Sequence, residues 1–134
     1  MEGGETMILK LTNQEMLNSI GGIGKLMNED LPITTSFALS KNINNIQSAL
    51  EVFETERHRL ISRCAIKDEN GEIIKEDGNV RIAPENIELW NESMKQLRLI
   101  EQDIDISTIN LSDISHIKIS VAELRAIEFM IVQE

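Results

Sequence analysis

The 134-residue chain has no tyrosine, one tryptophan and three phenylalanines, so it lacks the aromatic platforms on which nucleotide bases and single strands stack. Its one cysteine, Cys64, has no companion for an internal disulfide. No apolar run approaches the roughly 18 residues that a membrane-spanning helix requires. Cations are in deficit: 13 lysines and arginines against 23 acids give a formal charge of -10, and the basic residues are scattered instead of clustered. Such a chain has no footprint for phosphates. Neither direct nucleic-acid binding nor membrane insertion is therefore expected. The opening residues, Met1-Glu2-Gly3-Gly4-Glu5-Thr6, have neither the basic start nor the apolar stretch of a signal peptide, which with the lone cysteine predicts an intracellular protein.

What the chain does have is periodicity. Leu39, Ile43, Ile46, Leu50, Phe53, Arg57, Leu60 and Cys64 follow alternating steps of four and three, with Arg57 the only polar intrusion. The spacing predicts one helix over residues 36–65, opened by Thr35 or Ser36. That helix would run roughly 45 Å at 1.5 Å per residue, whereas a compact domain of this size is about 36 Å across. It therefore protrudes or is wrapped by partners. A return helix is predicted from Ala83-Pro84-Glu85 onward, with proline in the first turn and Ile87, Trp90, Met94, Leu97 and Ile100 at helical spacing. Between the two, Asp68-Glu69-Asn70-Gly71 and Glu76-Asp77-Gly78-Asn79 are turn sequences flanked by short apolar pieces, which predicts a β-hairpin tip.

Residues 7–11 read as a strand, and Thr12 with Glu15 as a capping box opening a first helix. Gly21, Gly22 and Gly24 each cost about 1 kcal/mol relative to alanine in a helix interior, so this helix is expected to be short, bent or broken near Gly21. Further on, Ile104, Ile106 and Ile109 alternate with polar residues, and Ile117-Lys118-Ile119 repeats the alternation, predicting strands. Ser120 and Glu123 form a second capping box before a last helix expected to end almost at the C-terminus. The fold expected is α+β and mostly helical. A long antiparallel helical hairpin with a β-hairpin tip (36–102) packs on a small α/β base formed by 7–35 and 103–134. This makes a single domain over 7–134 after a disordered tail at 1–6.

No residue cluster announces a chemistry. Gly21-Gly22-Ile23-Gly24-Lys25 fails as a phosphate loop, because Ser19 stands where the first glycine belongs and Leu26 where the magnesium hydroxyl belongs. Met27 occupies the third-glycine position of the dinucleotide pattern. Asp68, Asn70, Asp77, Asp103 and Asp105 lack the glycine and acid spacing of a calcium loop, and His58 and His116 with Cys64 have no recognised zinc spacing. Cys64 lies on the apolar stripe, where a small buried thiol is the ordinary occupant. No catalytic residue, cofactor or metal is expected.

The candidate partner-binding residues are Arg57, Trp90, Asp68, Glu69 and Asp77. Arg57 either meets an acid across the helices (Glu88, Glu92 or Glu101, since Glu54 and Glu56 point elsewhere around the helix) or sits at the wet margin of the hairpin. Trp90 packs against the long helix or anchors a partner. The turn carboxylates complete the set.

The stretch Leu31-Pro32-Ile33-Thr34-Thr35-Ser36-Phe37-Ala38-Leu39-Ser40-Lys41-Asn42-Ile43, then Glu56-Arg57-His58-Arg59-Leu60-Ile61 and Lys67-Asp68-Glu69-Asn70-Gly71, resembles a small phage and prophage protein family of unknown function from tailed phages of Gram-positive bacteria. Asp103-Ile104-Asp105-Ile106 and Ala122-Glu123-Leu124 fit the same pattern, so the likeness spans most of residues 7–131. It implies a phage-encoded protein acting in the host cytoplasm or built into the virion, with no catalytic residues to carry over. The expected function is a non-enzymatic interaction protein, a structural or assembly accessory. It would dock a phage virion or assembly protein, or a host protein, or self-associate as a homo-oligomer through its long helix. The alternative is an acidic inhibitor or decoy that binds a host defence enzyme or nuclease, favoured by the charge.

Overall fold

Local rules set the first elements. The computed structural model describes residues 5–133, so the expected tail at 1–6 falls outside the described residues as far as Gly4, and Thr6 already belongs to a strand. The chain divides into two compact units, one built from the described residues up to Leu50 with those from Glu101 onward, the other from Glu51–Ile100. The fold is α+β and mostly helical, with three small two-stranded sheets among the described residues.

In the first unit, β1 (Thr6–Thr12) pairs antiparallel with β4 (Glu101–Ser107), Leu9 opposite Ile104 and Leu11 opposite Gln102. Thr12 then caps α1 (Asn13–Met27) through the reciprocal box the sequence predicts: the Glu15 N–H donates to Thr12 Oγ1 at 3.0 Å and the Thr12 N–H to Glu15 Oε1 at 2.9 Å. Contrary to expectation, α1 runs unbroken through its glycines. Gly22 explains why: a Cβ there would lie 3.0 Å from the carbonyl oxygen of Glu123 and 3.1 Å from Ile127 Cγ2. Its missing side chain lets the C-terminal segment pack onto α1, and that contact offsets the glycine's poor helix propensity.

The long helix α2 (Ile33–Cys64) begins before Thr35 and Ser36, so neither caps it. Thr35 is buried and spends its hydroxyl on Asp113 Oδ2 at 3.0 Å instead of on a cap. The predicted stripe is the buried one, with Leu39, Ile46 and Leu50 buried in the first unit and Phe53, Leu60 and Cys64 in the second. In the first unit polar side chains on α2 hold the edge of β4: Asn42 is fully buried and bonds both backbone groups of Ser107, and Asn45 Nδ2 donates to the Asp105 carbonyl at 3.0 Å.

After β4, β5 (Ile109–Asn110) leads into the short α4 (Leu111–Ile114). Residues 117–119 are not a strand, which corrects the alternation reading; they form an irregular connection to Ser120. The second capping box is present, but the last helix, α5 (Val121–Ala126), is much shorter than expected. Ile127 and Met130 are both fully buried, and a 3-10 turn at Glu128–Met130 delivers the chain to β6 (Ile131–Val132), which pairs parallel with β5. Burying both side chains while pairing β6 with β5 requires leaving the helix.

The second unit is a helical hairpin with a β element. Pro84–Asn86 make a 3-10 turn before α3 (Ile87–Leu99), and Asn86 Nδ2 donates to the carbonyls of Arg63 and Cys64 at 3.3 and 3.4 Å. At the opposite end Ile100 shares a groove with Glu56, so α3 returns antiparallel to the second half of α2.

Candidate functional site: a cavity beneath the hairpin

The chain between α2 and α3 is ordered by turn chemistry. Asp68 Oδ1 accepts the N–H groups of Asn70 and Glu72 at 2.8 and 3.0 Å, folding the first predicted turn. β2 (Lys75–Glu76) and β3 (Asn79–Val80) are joined by Asp77 and Gly78, both at positive φ (51° and 79°). Two successive residues of that hand fit the right-handed twist of a two-residue hairpin. The hairpin is stitched to the end of α2: the Ile66 N–H donates to Arg81, the Ile74 N–H to Ile66 and the Ala83 N–H to Cys64, at 2.9, 3.0 and 2.8 Å.

Strand alternation then sorts the side chains. Glu76 and Arg81 face outward and bond each other, Arg81 Nη1 lying 3.1 and 3.2 Å from the two carboxylate oxygens. Ile73, Lys75, Val80 and Ile82 face inward. Against them α2 presents Arg57, His58, Ile61 and Ser62, and α3 presents Trp90. Together with Gly78 and Asn79 these residues enclose a cavity of about 530 Å³, within the range of small-ligand and side-chain pockets. In a chain of 23 acids, no carboxylate lines it. Its walls are isoleucine, valine and tryptophan, and its polar rim carries Arg57, His58 and Lys75.

Arg57 and Trp90, singled out separately in the sequence, thus meet in one site. Of the two places expected for Arg57, it takes the wet margin, and it meets Glu54, which had been expected to point elsewhere around the helix, instead of an acid across the helices: its guanidinium contacts Glu54 Oε2 at 3.3 Å through both Nε and Nη2. His58 Nε2 lies 3.8 Å from the same oxygen. A three-residue helical step brings the two side chains together at half-exposed positions, so no desolvated charge calls for Glu88, Glu92 or Glu101. Trp90 is half-buried in the cavity wall. Asp68, Glu69 and Asp77 are exposed and serve the two turns, outside the lining. Lys75 and the inward valine and isoleucines were missed. Their signal was the period-two spacing of Ile73 with Lys75 and of Val80 with Ile82.

Elsewhere, Cys64 is fully buried. Among the described residues no group of three or more His, Cys, Asp or Glu is placed to hold a metal ion. No described helix is long and apolar enough to cross a membrane. A larger but shallower concavity of about 840 Å³ between α1 and α5 is lined by small residues such as Gly21, Gly22, Ala122 and Ala126 and by charges of both signs, which gives it no preference for a ligand. No protein-family model matches the chain, and no curated protein or solved structure matches it.

Proposed function

We propose that this chain is a non-enzymatic interaction protein, and that it docks a protein partner by taking an apolar side chain flanked by a carboxylate into the cavity beneath the hairpin. The observation that carries this reading is the charge of the lining. An acidic protein with an apolar cavity free of carboxylates and rimmed by Arg57, His58 and Lys75 has the complement of an acidic, apolar peptide segment. Lys75 makes no ion pair among the described residues, so its charge is available to that segment. Trp90 supplies the large, rigid contact typical of binding hot spots. The likeness to a phage protein family favours a phage-encoded structural or assembly accessory, with the partner a virion, assembly or host protein.

The test is affinity capture by the tagged chain from infected cells at moderate salt, read by mass spectrometry, with Lys75→Glu and Trp90→Ala in parallel. A dominant virion or assembly protein, lost with either variant while circular dichroism is unchanged, supports the reading. A host nuclease whose recovery falls steeply with salt and ignores both substitutions contradicts docking at the cavity and supports an acidic decoy instead.

A further inference from the structure

The β1–β4 ribbon has two edges, and only one of them is covered. The Thr108 N–H donates to the Glu5 carbonyl at 2.8 Å, which fixes the parity of the ladder. With the observed register, Met7, Leu9 and Leu11 turn their backbone groups toward β4, and Ser107 and Asp105 turn theirs away from β1. Asn42 and Asn45 occupy that outer side of β4. The same parity points the N–H and C=O groups of Thr6, Ile8 and Lys10 off the other side, where no strand or side chain pairs with them among the described residues. Ile8 there is 70% exposed. An open strand edge of this kind is a template for another strand.

We infer that a second copy of this chain covers it, β1 pairing antiparallel with β1 about a two-fold axis at Leu9 to give a continuous four-stranded sheet. The sequence of the strand, Thr6-Met7-Ile8-Leu9-Lys10-Leu11-Thr12, is self-complementary about that point. Thr6 falls opposite Thr12, Met7 opposite Leu11 and Ile8 opposite Lys10. Apolar residues therefore meet apolar residues on the inner face, and no lysine faces a lysine. The backbone agrees: Ile8 and Lys10, whose groups point outward, form the hydrogen-bonded pairs, and Leu9 meets Leu9 as the close non-hydrogen-bonded pair. β1 also holds no acid in a chain of charge -10. Repulsion between the copies comes from elsewhere and is screened by salt, so the dimer strengthens as ionic strength rises. This pairing uses the first unit only and does not depend on the cavity of the second.

Sedimentation equilibrium of the full chain over a wide concentration range, with two variants, tests it. The wild type sediments at twice the chain mass. Ile8→Pro removes an outward N–H without touching the β1–β4 ladder, and sediments at one chain mass with unchanged circular dichroism. Leu9→Cys links into a covalent dimer on mild oxidation, because the non-hydrogen-bonded pair sets its Cα atoms about 4.5 Å apart; the wild type, whose Cys64 is buried, does not. A one-chain mass for the wild type, as when the edge serves a strand of another protein, overturns the inference. So does a dimer that ignores Ile8→Pro and leaves Leu9→Cys unlinked.

Discussion

Asn42 grips Ser107 with both ends of its side-chain amide: Nδ2 donates to the Ser107 carbonyl at 2.8 Å, and Oδ1 accepts the Ser107 N–H at 2.7 Å. A buried asparagine on a helix thus stands in for the next strand of a sheet. Asn42→Ala strips two buried backbone groups of their partners, and each such group costs about 1–3 kcal/mol. A loss of about 3 kcal/mol in urea unfolding is expected, whereas Asn45→Ala, whose bond to Asp105 is exposed, costs about 0.5 kcal/mol.

The glycines of α1 should separate sharply. An added Cβ meets nothing within 4 Å at Gly21 or Gly24, but meets the Glu123 carbonyl and Ile127 at Gly22. Gly21→Ala and Gly24→Ala are each expected to stabilise by about 0.5–1 kcal/mol through helix propensity. Gly22→Ala lowers the melting temperature, because backbone must shift to admit the methyl group.

Acid should act on the cap of α5. The hydrogen bond from the Ser120 N–H at 3.1 Å comes first, followed by the Ser120 side chain and aided by Lys25; together they outweigh desolvation and hold the Glu123 carboxyl below the usual glutamate range. A value lower in the folded than in the unfolded chain means a stabilisation fully present at neutral pH. It is lost as pH falls below about 4.3, the ordinary glutamate value, and through the depressed one. Thermal melts between neutral and acidic pH should therefore show a smaller acid-induced drop for Glu123→Gln than for the wild type.

The hairpin over the cavity depends on Gly78 at φ 79°. Gly78→Ala forces a side chain into the left-handed region and is expected to cost about 1 kcal/mol by denaturant unfolding. Asp77→Asn, which keeps a residue type tolerant of that region, is expected to be nearly neutral.

The elements that local chemistry specifies were legible: both capping boxes, the turn at Asp77-Gly78 and the buried stripe of α2 can each be read from a few neighbouring residues. What was not legible depended on distant partners. Gly22 is explained only by Glu123 and Ile127, and Asn42 looks like an ordinary surface asparagine until β4 arrives beside it. The last helix stops at Ala126 because Ile127 and Met130 have buried places to fill and β6 has β5 to pair with, a tertiary demand that overrides helical spacing. For the cavity, Arg57 stood out as the polar intrusion on an apolar stripe and Trp90 as the one large aromatic of the return helix. Their meeting, and the part of Lys75, required the hairpin's inward face.

Trp90 is the chain's single tryptophan and part of the cavity wall, which makes it the most direct probe of docking. The chain labelled with fluorotryptophan gives one fluorine NMR resonance, to be followed while the captured, unlabelled partner is titrated in. Docking in the cavity shifts and broadens this resonance with the wild type and leaves it in place with Lys75→Glu. A resonance unmoved by a partner that is demonstrably bound would contradict it.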